Sequence, residues 1–66
     1  MEMTIGANIK RLRTAKNITQ EQLSVAMNVT CAAVSKWERG KSLPDIALLN
    51  RLAAELRVSV VEILSG

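Results

Sequence analysis

Two helix-start signals lie unusually close together in the middle of the chain. Thr19 is followed three residues later by Gln22, the capping-box spacing in which each side chain satisfies a free backbone N–H near the other. Thr30 is a second N-cap candidate, and Asn28 just before it tolerates the left-handed conformation that ends helices. The spacing therefore predicts two short helices with a very short connection.

Such a short connection makes two helices cross at a large angle, which is the helix-turn-helix geometry. The surrounding residues suit it, because Ser24 is small enough for close approach and Val34 and Trp37 are apolar at inward-facing spacing. We place this unit at about residues 19–39. The inner stripe of its first helix is predicted to be Leu23, Ala26 and Met27.

Apolar residues recur at helical spacing along the whole chain, without sustained strand-like alternation. The predicted starts of the first, fourth and fifth helices are Thr4, Asp45 and Ser59. Asn17 is the predicted end of the first helix, and the fifth is expected to run through Leu64. The sequence thus predicts an all-α fold, a compact five-helix domain over residues 1–66.

The composition excludes several functions. The chain has no histidine and one cysteine, so it lacks the ligand set for zinc, a Cys–His nucleophile pair and an internal disulfide. We therefore expect no metal, no cofactor and no catalytic site, and not an enzyme. No apolar run approaches the roughly 20 residues that span a membrane. No signal-peptide pattern opens the chain, so a cytoplasmic protein is predicted.

Positive charge is concentrated in the N-terminal half. The net charge is +3, and residues 10–41 hold seven Lys and Arg against Glu21 and Glu38, a local balance of +5. A basic region suits a polyanion, although charge alone fits a solvated surface equally well. Trp37 is the only aromatic residue and is predicted to face inward, so the chain has no stacking platform for single strands. Duplex DNA is favoured over RNA.

Four segments carry a family resemblance: IKRLR at 9–13, TQEQL at 19–23, VSKWERGKSLPD at 34–45 and LAAELRVSVVEIL at 52–64. They resemble the Cro/C1-type helix-turn-helix family of phage repressors and XRE-like bacterial regulators. The most specific parts are Thr-Gln-Glu-x-Leu and, at the right separation, Trp-Glu-Arg-Gly. The resemblance implies a lambda-repressor-like fold and a sequence-specific DNA-binding transcriptional regulator, with a repressor as the first expectation.

The sequence departs from the family at two helix ends. Asn28 and Arg57 stand where the family commonly has glycine. Asn bears a positive φ at modest cost, whereas Arg bears it at about 1 kcal/mol relative to glycine. We expect both helix ends to persist.

The resemblance also implies which side chains face the bases. In this family the third helix, here about residues 30–39, enters the major groove with its N-terminal end leading. The side chains expected at the bases are Cys31, Ala32, Ala33, Ser35 and Lys36. Lys36 is the one long donor, with a guanine or a phosphate as its partner. The two alanines fit an exposed helix surface equally well, and a redox role for Cys31 is disfavoured.

Phosphate contacts are implied around this helix. Gln20 is expected to bind a phosphate at the start of the second helix, with help from backbone N–H groups and the helix dipole. The other side chains expected at phosphates are Thr30, Arg39, Lys41, Lys10 and Arg11. The family often joins an Arg of the first helix to a Glu after the recognition helix. Here these are Arg13 and Glu38, predicted to form a bidentate structural pair.

The expected partner is double-stranded DNA with a palindromic operator, bound by a homodimer. Residues 58–64 hold more apolar side chains than one buried face needs, which suggests the dimer contact, and Leu43 and Leu48 are further surplus candidates. The alternative is a protein-interaction or antitoxin-type module. In that case, neutralising Lys36 and Arg39 would leave the main affinity intact.

Overall fold

The computed structural model describes residues 5–65, in which all regular secondary structure is helical. The helices are α1 (Ile5–Ala15), α2 (Gln20–Met27), α3 (Cys31–Glu38), α4 (Ile46–Leu56) and α5 (Val60–Ser65). This confirms the predicted five-helix, all-α architecture. The fifth helix runs one residue past its predicted end at Leu64. The predicted cap Thr4 lies outside the described residues.

The predicted N-caps are present. The Thr19 hydroxyl accepts a hydrogen bond from the Gln22 backbone N–H at 3.0 Å, and the Gln22 side chain accepts one from the Thr19 N–H at 2.9 Å. Equivalent bonds from the backbone N–H three residues on cap α3, α4 and α5 at Thr30, Asp45 and Ser59. These bonds satisfy N–H groups that a helix start leaves free, so each of these helix starts is stabilised by residues at most three positions apart.

The first four helices end in the same way. Each is followed by a residue with positive φ, and the next residue donates its N–H to the carbonyl five positions back, as in the Schellman motif. The positive-φ residues are Asn17, Asn28, Gly40 and Arg57. At three of these ends the following residue is half-buried and packs on the core, namely Ile18, Val29 and Val58. The motif therefore turns the chain back into the core.

The core lies where α3 meets α1 and α2, and α5 packs on α1 and α4. The fully buried aliphatic side chains are Ile9, Leu23, Met27, Val34, Leu52, Leu56 and Ile63. Trp37 is buried, as predicted. The assignment of Ala26 to the inner stripe was wrong: Ala26 is exposed and Ser24 completes the buried face. Alanine is small enough for either side of a helix, so its position carried little information.

Gly6 permits close contact between α1 and α3. A Cβ at Gly6 would overlap the Trp37 carbonyl oxygen and would lie 2.8 Å from that of Glu38. The first turn of α1 therefore sits against the last carbonyls of α3, an arrangement that also brings opposite ends of two helix dipoles together. No pattern in the sequence predicts this role for Gly6.

Asn8 links the two ends of the described chain. Its side-chain Nδ2 donates to the Ile63 carbonyl at 2.8 Å, and the residue is fully buried. The bond ties α5 to α1 across a long sequence separation. Its Oδ1 is buried without a hydrogen-bond partner among the described residues.

We predict that Gly6→Ala destabilises the domain by about 1–3 kcal/mol, because the added Cβ must push α1 away from backbone atoms of α3. Helix propensity alone predicts the opposite sign, a gain of about 1 kcal/mol. Urea unfolding measures the difference. A variant as stable as the parent, or more stable, would show that α1 and α3 are not in this contact.

We also predict that Arg57→Gly stabilises the domain by about 1 kcal/mol, because it relieves the positive φ of 57° at a non-glycine residue. The matched control is Glu55→Gly, an exposed position inside the same helix, which should cost about 1 kcal/mol. Thermal unfolding of both variants tests this, because Arg57→Gly should raise the melting temperature and Glu55→Gly should lower it. Destabilisation by Arg57→Gly would contradict the left-handed conformation at this residue.

Candidate nucleic-acid interface

The burial of two α3 residues identifies which side of this helix faces outward. Val34 and Trp37 are buried, so the residues on the opposite side of the helix point away from the domain. At helical spacing these are Ala32, Lys36 and Arg39, which are exposed, with the half-buried Ser35 at the edge of the face. Cys31 is exposed as the first helical residue and its thiol is free. Four of the five predicted base-facing residues therefore lie at or beside an outward face.

Ala33 departs from its predicted position. It is half-buried and packs against the core, whereas an outward, base-facing position was predicted. The reason is its spacing, since a residue four positions before Trp37 lies on the same side of a helix as the Trp. Ser35 is also half-buried, and its hydroxyl accepts a hydrogen bond from Arg39 Nε at 3.2 Å.

The predicted pair between Arg13 and Glu38 is present and bidentate. Arg13 Nε donates to Glu38 Oε2 at 2.6 Å, and Arg13 Nη2 donates to Oε1 at 3.0 Å. The Glu38 side chain is only 3% exposed. Arg13 Nη1 donates in addition to the Ile18 carbonyl at 2.7 Å, just before the α2 cap. One guanidinium thus connects α1, the turn before α2, and the last residue of α3.

Gln20 joins this cluster through a contact that was not predicted from the sequence. Its Nε2 donates to Glu38 Oε1 at 3.0 Å, so one carboxylate oxygen accepts from both Arg13 and Gln20. Gln20 is half-buried as the first residue of α2. No sequence signal indicates this contact, because the two residues are 18 positions apart and neither residue type demands the other.

The cluster favours an ionised Glu38. Burial by itself raises the pKa of this carboxyl group. Hydrogen bonds from Arg13 and Gln20, with the positive charges of Arg13 and Lys10, outweigh burial and lower the pKa below its ordinary value. The hydrogen bond to Glu38 raises the pKa of Arg13 further, against the opposing effect of burial. The pair is therefore charged at neutral pH.

Most of the predicted phosphate-binding side chains are exposed. Lys10 and Arg11 lie on the exposed side of α1, and Lys41 follows the end of α3. Lys10 is close enough to Glu38 to contribute to its pKa, which places it near the cluster. The Thr30 hydroxyl accepts the N–H of Ala33 as the α3 cap. We refer to the exposed basic residues Lys10, Arg11, Arg39 and Lys41 as the basic margin.

Exposed apolar side chains occur towards the C-terminus. Val61 is 67% exposed and Leu64 is 46% exposed, in agreement with the surplus predicted for residues 58–64. Leu43 is exposed as predicted, but Leu48 is half-buried on the core, so its assignment as surplus was wrong. Ile46 is 79% exposed and was not anticipated.

Two kinds of site are not found in the part of the chain that the structure describes. No group of three or more His, Cys, Asp and Glu side chains is arranged to hold a metal ion among residues 5–65. None of the five helices there has the length and apolarity needed to cross a membrane.

A family model described as helix-turn-helix matches residues 9–63. The chain belongs to the helix-turn-helix family. The match spans α2 and α3 and most of the surrounding helices, so the Cro/C1-type resemblance is confirmed.

Similar proteins agree with this assignment. The chain is 41% identical over 64 residues to the HTH-type transcriptional activator BcrR of Enterococcus faecalis, covering 97% of this chain and 31% of that protein. It is 35% identical to the uncharacterized HTH-type transcriptional regulator y4dJ of Sinorhizobium fredii, covering 98% of this chain and 84% of that one. The P22 c2 repressor in complex with a synthetic operator superposes with a TM-score of 0.91 at 30% identity, covering 97% of both chains.

The chain therefore spans about a third of BcrR and most of y4dJ. Both relatives are named as transcriptional regulators. The operator complex further shows that a chain of this fold meets duplex DNA.

We predict that Glu38→Ala destabilises the domain by about 3 kcal/mol, because it leaves the buried guanidinium of Arg13 without a counter-charge. Glu21→Ala, which removes an exposed carboxylate, is the control and should change stability by less than about 0.5 kcal/mol. Chemical denaturation measures both. Equal losses of stability in Glu38→Ala and Glu21→Ala would show that the ion pair between Arg13 and Glu38 does not stabilise the domain.

The difference in stability between the parent and Glu38→Ala should depend on pH, and the lowered pKa of Glu38 gives the direction. Because the pKa of Glu38 is lower in the folded state, its contribution is complete at neutral pH and is lost as pH falls from the ordinary glutamate range through the folded value. The stability gap between parent and Glu38→Ala should therefore narrow on acidification below about pH 4.5. A gap that stays constant down to pH 2 would contradict the lowered pKa.

Proposed function

We propose that this chain binds double-stranded DNA in a sequence-specific manner and acts as a transcriptional regulator, with repression as the first expectation. The observation that carries the proposal is the outward face of α3, in a fold that superposes on the P22 c2 repressor bound to its operator. In that arrangement α3 enters the major groove with Cys31 leading.

Base reading is assigned to the outer face of α3. Lys36 is the long donor there and suits the O6 and N7 acceptors of guanine. Cys31 and Ala32 are short and offer apolar contacts, for example to a thymine methyl group. Ser35 is a weaker candidate because its hydroxyl already accepts from Arg39. Ala33 is the weakest, since it packs against the core.

Phosphate contacts are assigned to the basic margin and to the neutral residues Gln20 and Thr30. Arg39 and Lys41 follow the recognition helix, and Gln20 stands at the positive end of the α2 dipole. Thr30 caps α3 at the opposite end of that helix from Arg39, so it would contact a different phosphate. Lys10 and Arg11 on α1 extend the same footprint. Such contacts fix the register of the protein on the duplex without reading sequence.

The proposed bound form is a homodimer on a palindromic operator, with half-sites about 34 Å apart. Residues 58–64 are the proposed contact, because Val61 and Leu64 leave apolar surface exposed there. We expect the regulator to act in the cytoplasm and to have no enzymatic activity. Neither metal nor cofactor is required.

Selection of bound sequences from random duplex DNA, repeated at two salt concentrations, tests the function. We expect one palindromic motif, bound cooperatively by two copies. A steep salt dependence with no motif would contradict sequence-specific binding, because phosphate contacts alone produce that behaviour. Equal affinity for one and two half-sites would contradict the dimer.

Two lysine variants separate base reading from phosphate binding. Lys36→Ala should relax the preference at one position of each half-site, a loss of about 1–3 kcal/mol of discrimination. Lys41→Ala should weaken all sequences about equally and reduce the salt slope by about one. Lys16→Ala, an exposed lysine outside the proposed footprint, is the matched control. Identical behaviour of Lys36→Ala and Lys16→Ala would remove Lys36 from the interface.

A further inference from the structure

We propose that Glu38 is a positioning residue for DNA binding, which acts by holding the side chain of Gln20 in its DNA-binding orientation before DNA arrives. This inference rests on the proposed function, because it assigns Gln20 to the phosphate footprint. Glu38 itself touches no DNA in this scheme.

The geometry gives Glu38 two separable connections. Oε2 accepts only from Arg13, at 2.6 Å, whereas Oε1 accepts from both Arg13 and Gln20 at 3.0 Å. The bond to Arg13 joins α3 to α1. The bond to Gln20 joins α3 to the first residue of α2, and it is the only one of these bonds that ends on a side chain of the proposed interface.

The bond fixes a side chain that is otherwise flexible. A glutamine has three rotatable side-chain bonds, and ordering it on binding costs conformational entropy. Gln20 is half-buried and already hydrogen-bonded to Glu38 in the free protein. Its side chain therefore loses conformational entropy on folding and not on DNA binding. Preorganisation of this kind increases affinity without adding a contact to the ligand.

One amide N–H of Gln20 is used by Glu38, which leaves the second N–H to donate elsewhere. The capping box engages the backbone N–H groups of Thr19 and Gln22. The N–H groups between them, at the positive end of the α2 dipole, have no acceptor among the described contacts. The held amide and these N–H groups together present donors to one phosphate.

The charge of Arg13 makes this use of a carboxylate feasible. A carboxylate near a phosphate normally repels it, but Arg13 neutralises Glu38 through two hydrogen bonds. Lys10 adds a second positive charge near Glu38. The oxygen can therefore hold Gln20 without a net negative charge facing the DNA.

A double-mutant cycle on DNA affinity tests the proposal, with the best duplex recovered from the random selection as the probe. Gln20→Ala in the parent should weaken binding about tenfold, which is about 1.4 kcal/mol. In the Glu38→Ala background the same change should weaken binding less than about threefold, because the amide is no longer held. Since Gln20 is neutral, Gln20→Ala should leave the salt slope unchanged, unlike Lys41→Ala.

A structural role alone predicts a different result. If Glu38 only stabilises α3, the affinity losses of Gln20→Ala and Glu38→Ala multiply in the double variant. Gln20→Ala would then weaken DNA binding by the same factor in both backgrounds, and that result would overturn the proposal. Leu52→Val, a core variant away from the cluster, controls for lost stability and should leave the effect of Gln20→Ala at about tenfold. A parent protein that binds no duplex at all would instead overturn the proposed function.

A measurement on the unmodified protein covers the case in which Glu38→Ala does not fold. NMR relaxation of the Gln20 side-chain amide in the DNA-free protein should show order close to that of the backbone. Glutamines are otherwise mobile at the surface, and Gln22, engaged only in its local capping box, is the internal comparison. A Gln20 amide more mobile than that of Gln22 would overturn the proposal.

Discussion

The carboxylate of Glu38 is the point at which α1, α2 and α3 are joined. It accepts hydrogen bonds from Arg13 of α1 and Gln20 of α2, and the backbone beside it lies against Gly6. A buried ion pair adds little net stability compared with an apolar contact, yet losing one partner is costly. Its consequence here is for the orientation of the helices, because α1, α2 and α3 are joined through hydrogen bonds to one carboxylate.

The orientation of α3 matters because the residues at its N-terminal end, the tip of the helix, have short side chains. The side chains of Cys31 and Ala32 cannot extend far, so the position of the helix backbone decides which DNA atoms they can contact. α3 has eight residues and is about 12 Å long, so a tilt at Glu38 displaces the tip directly. Lys36 is the one long donor on the outer face before the C-cap. Phosphate contacts and DNA shape are therefore expected to carry an unusually large share of recognition.

Features encoded within a few residues were predictable from the sequence. The caps at Thr19, Thr30 and Asp45 were predicted correctly, because each depends on atoms at most three positions apart. The contacts that were missed join distant positions: Gly6 with the end of α3, Asn8 with Ile63, and Gln20 with Glu38. Arg13 with Glu38 was found through the family resemblance. Ala26, Ala33 and Leu48 were misplaced, since periodicity in a helix of two or three turns defines the edges of its buried face poorly.

The outer face of α3, held at Glu38, is the surface that we propose contacts DNA. Titration of isotope-labelled protein with a selected duplex, followed through backbone amide chemical shifts, tests it most directly. The largest changes should fall on residues 30–36, on the first turn of α2 and on residues 39–41, with the second half of α4 little affected. Changes concentrated on α4 and α5, with α3 unmoved, would contradict the claim.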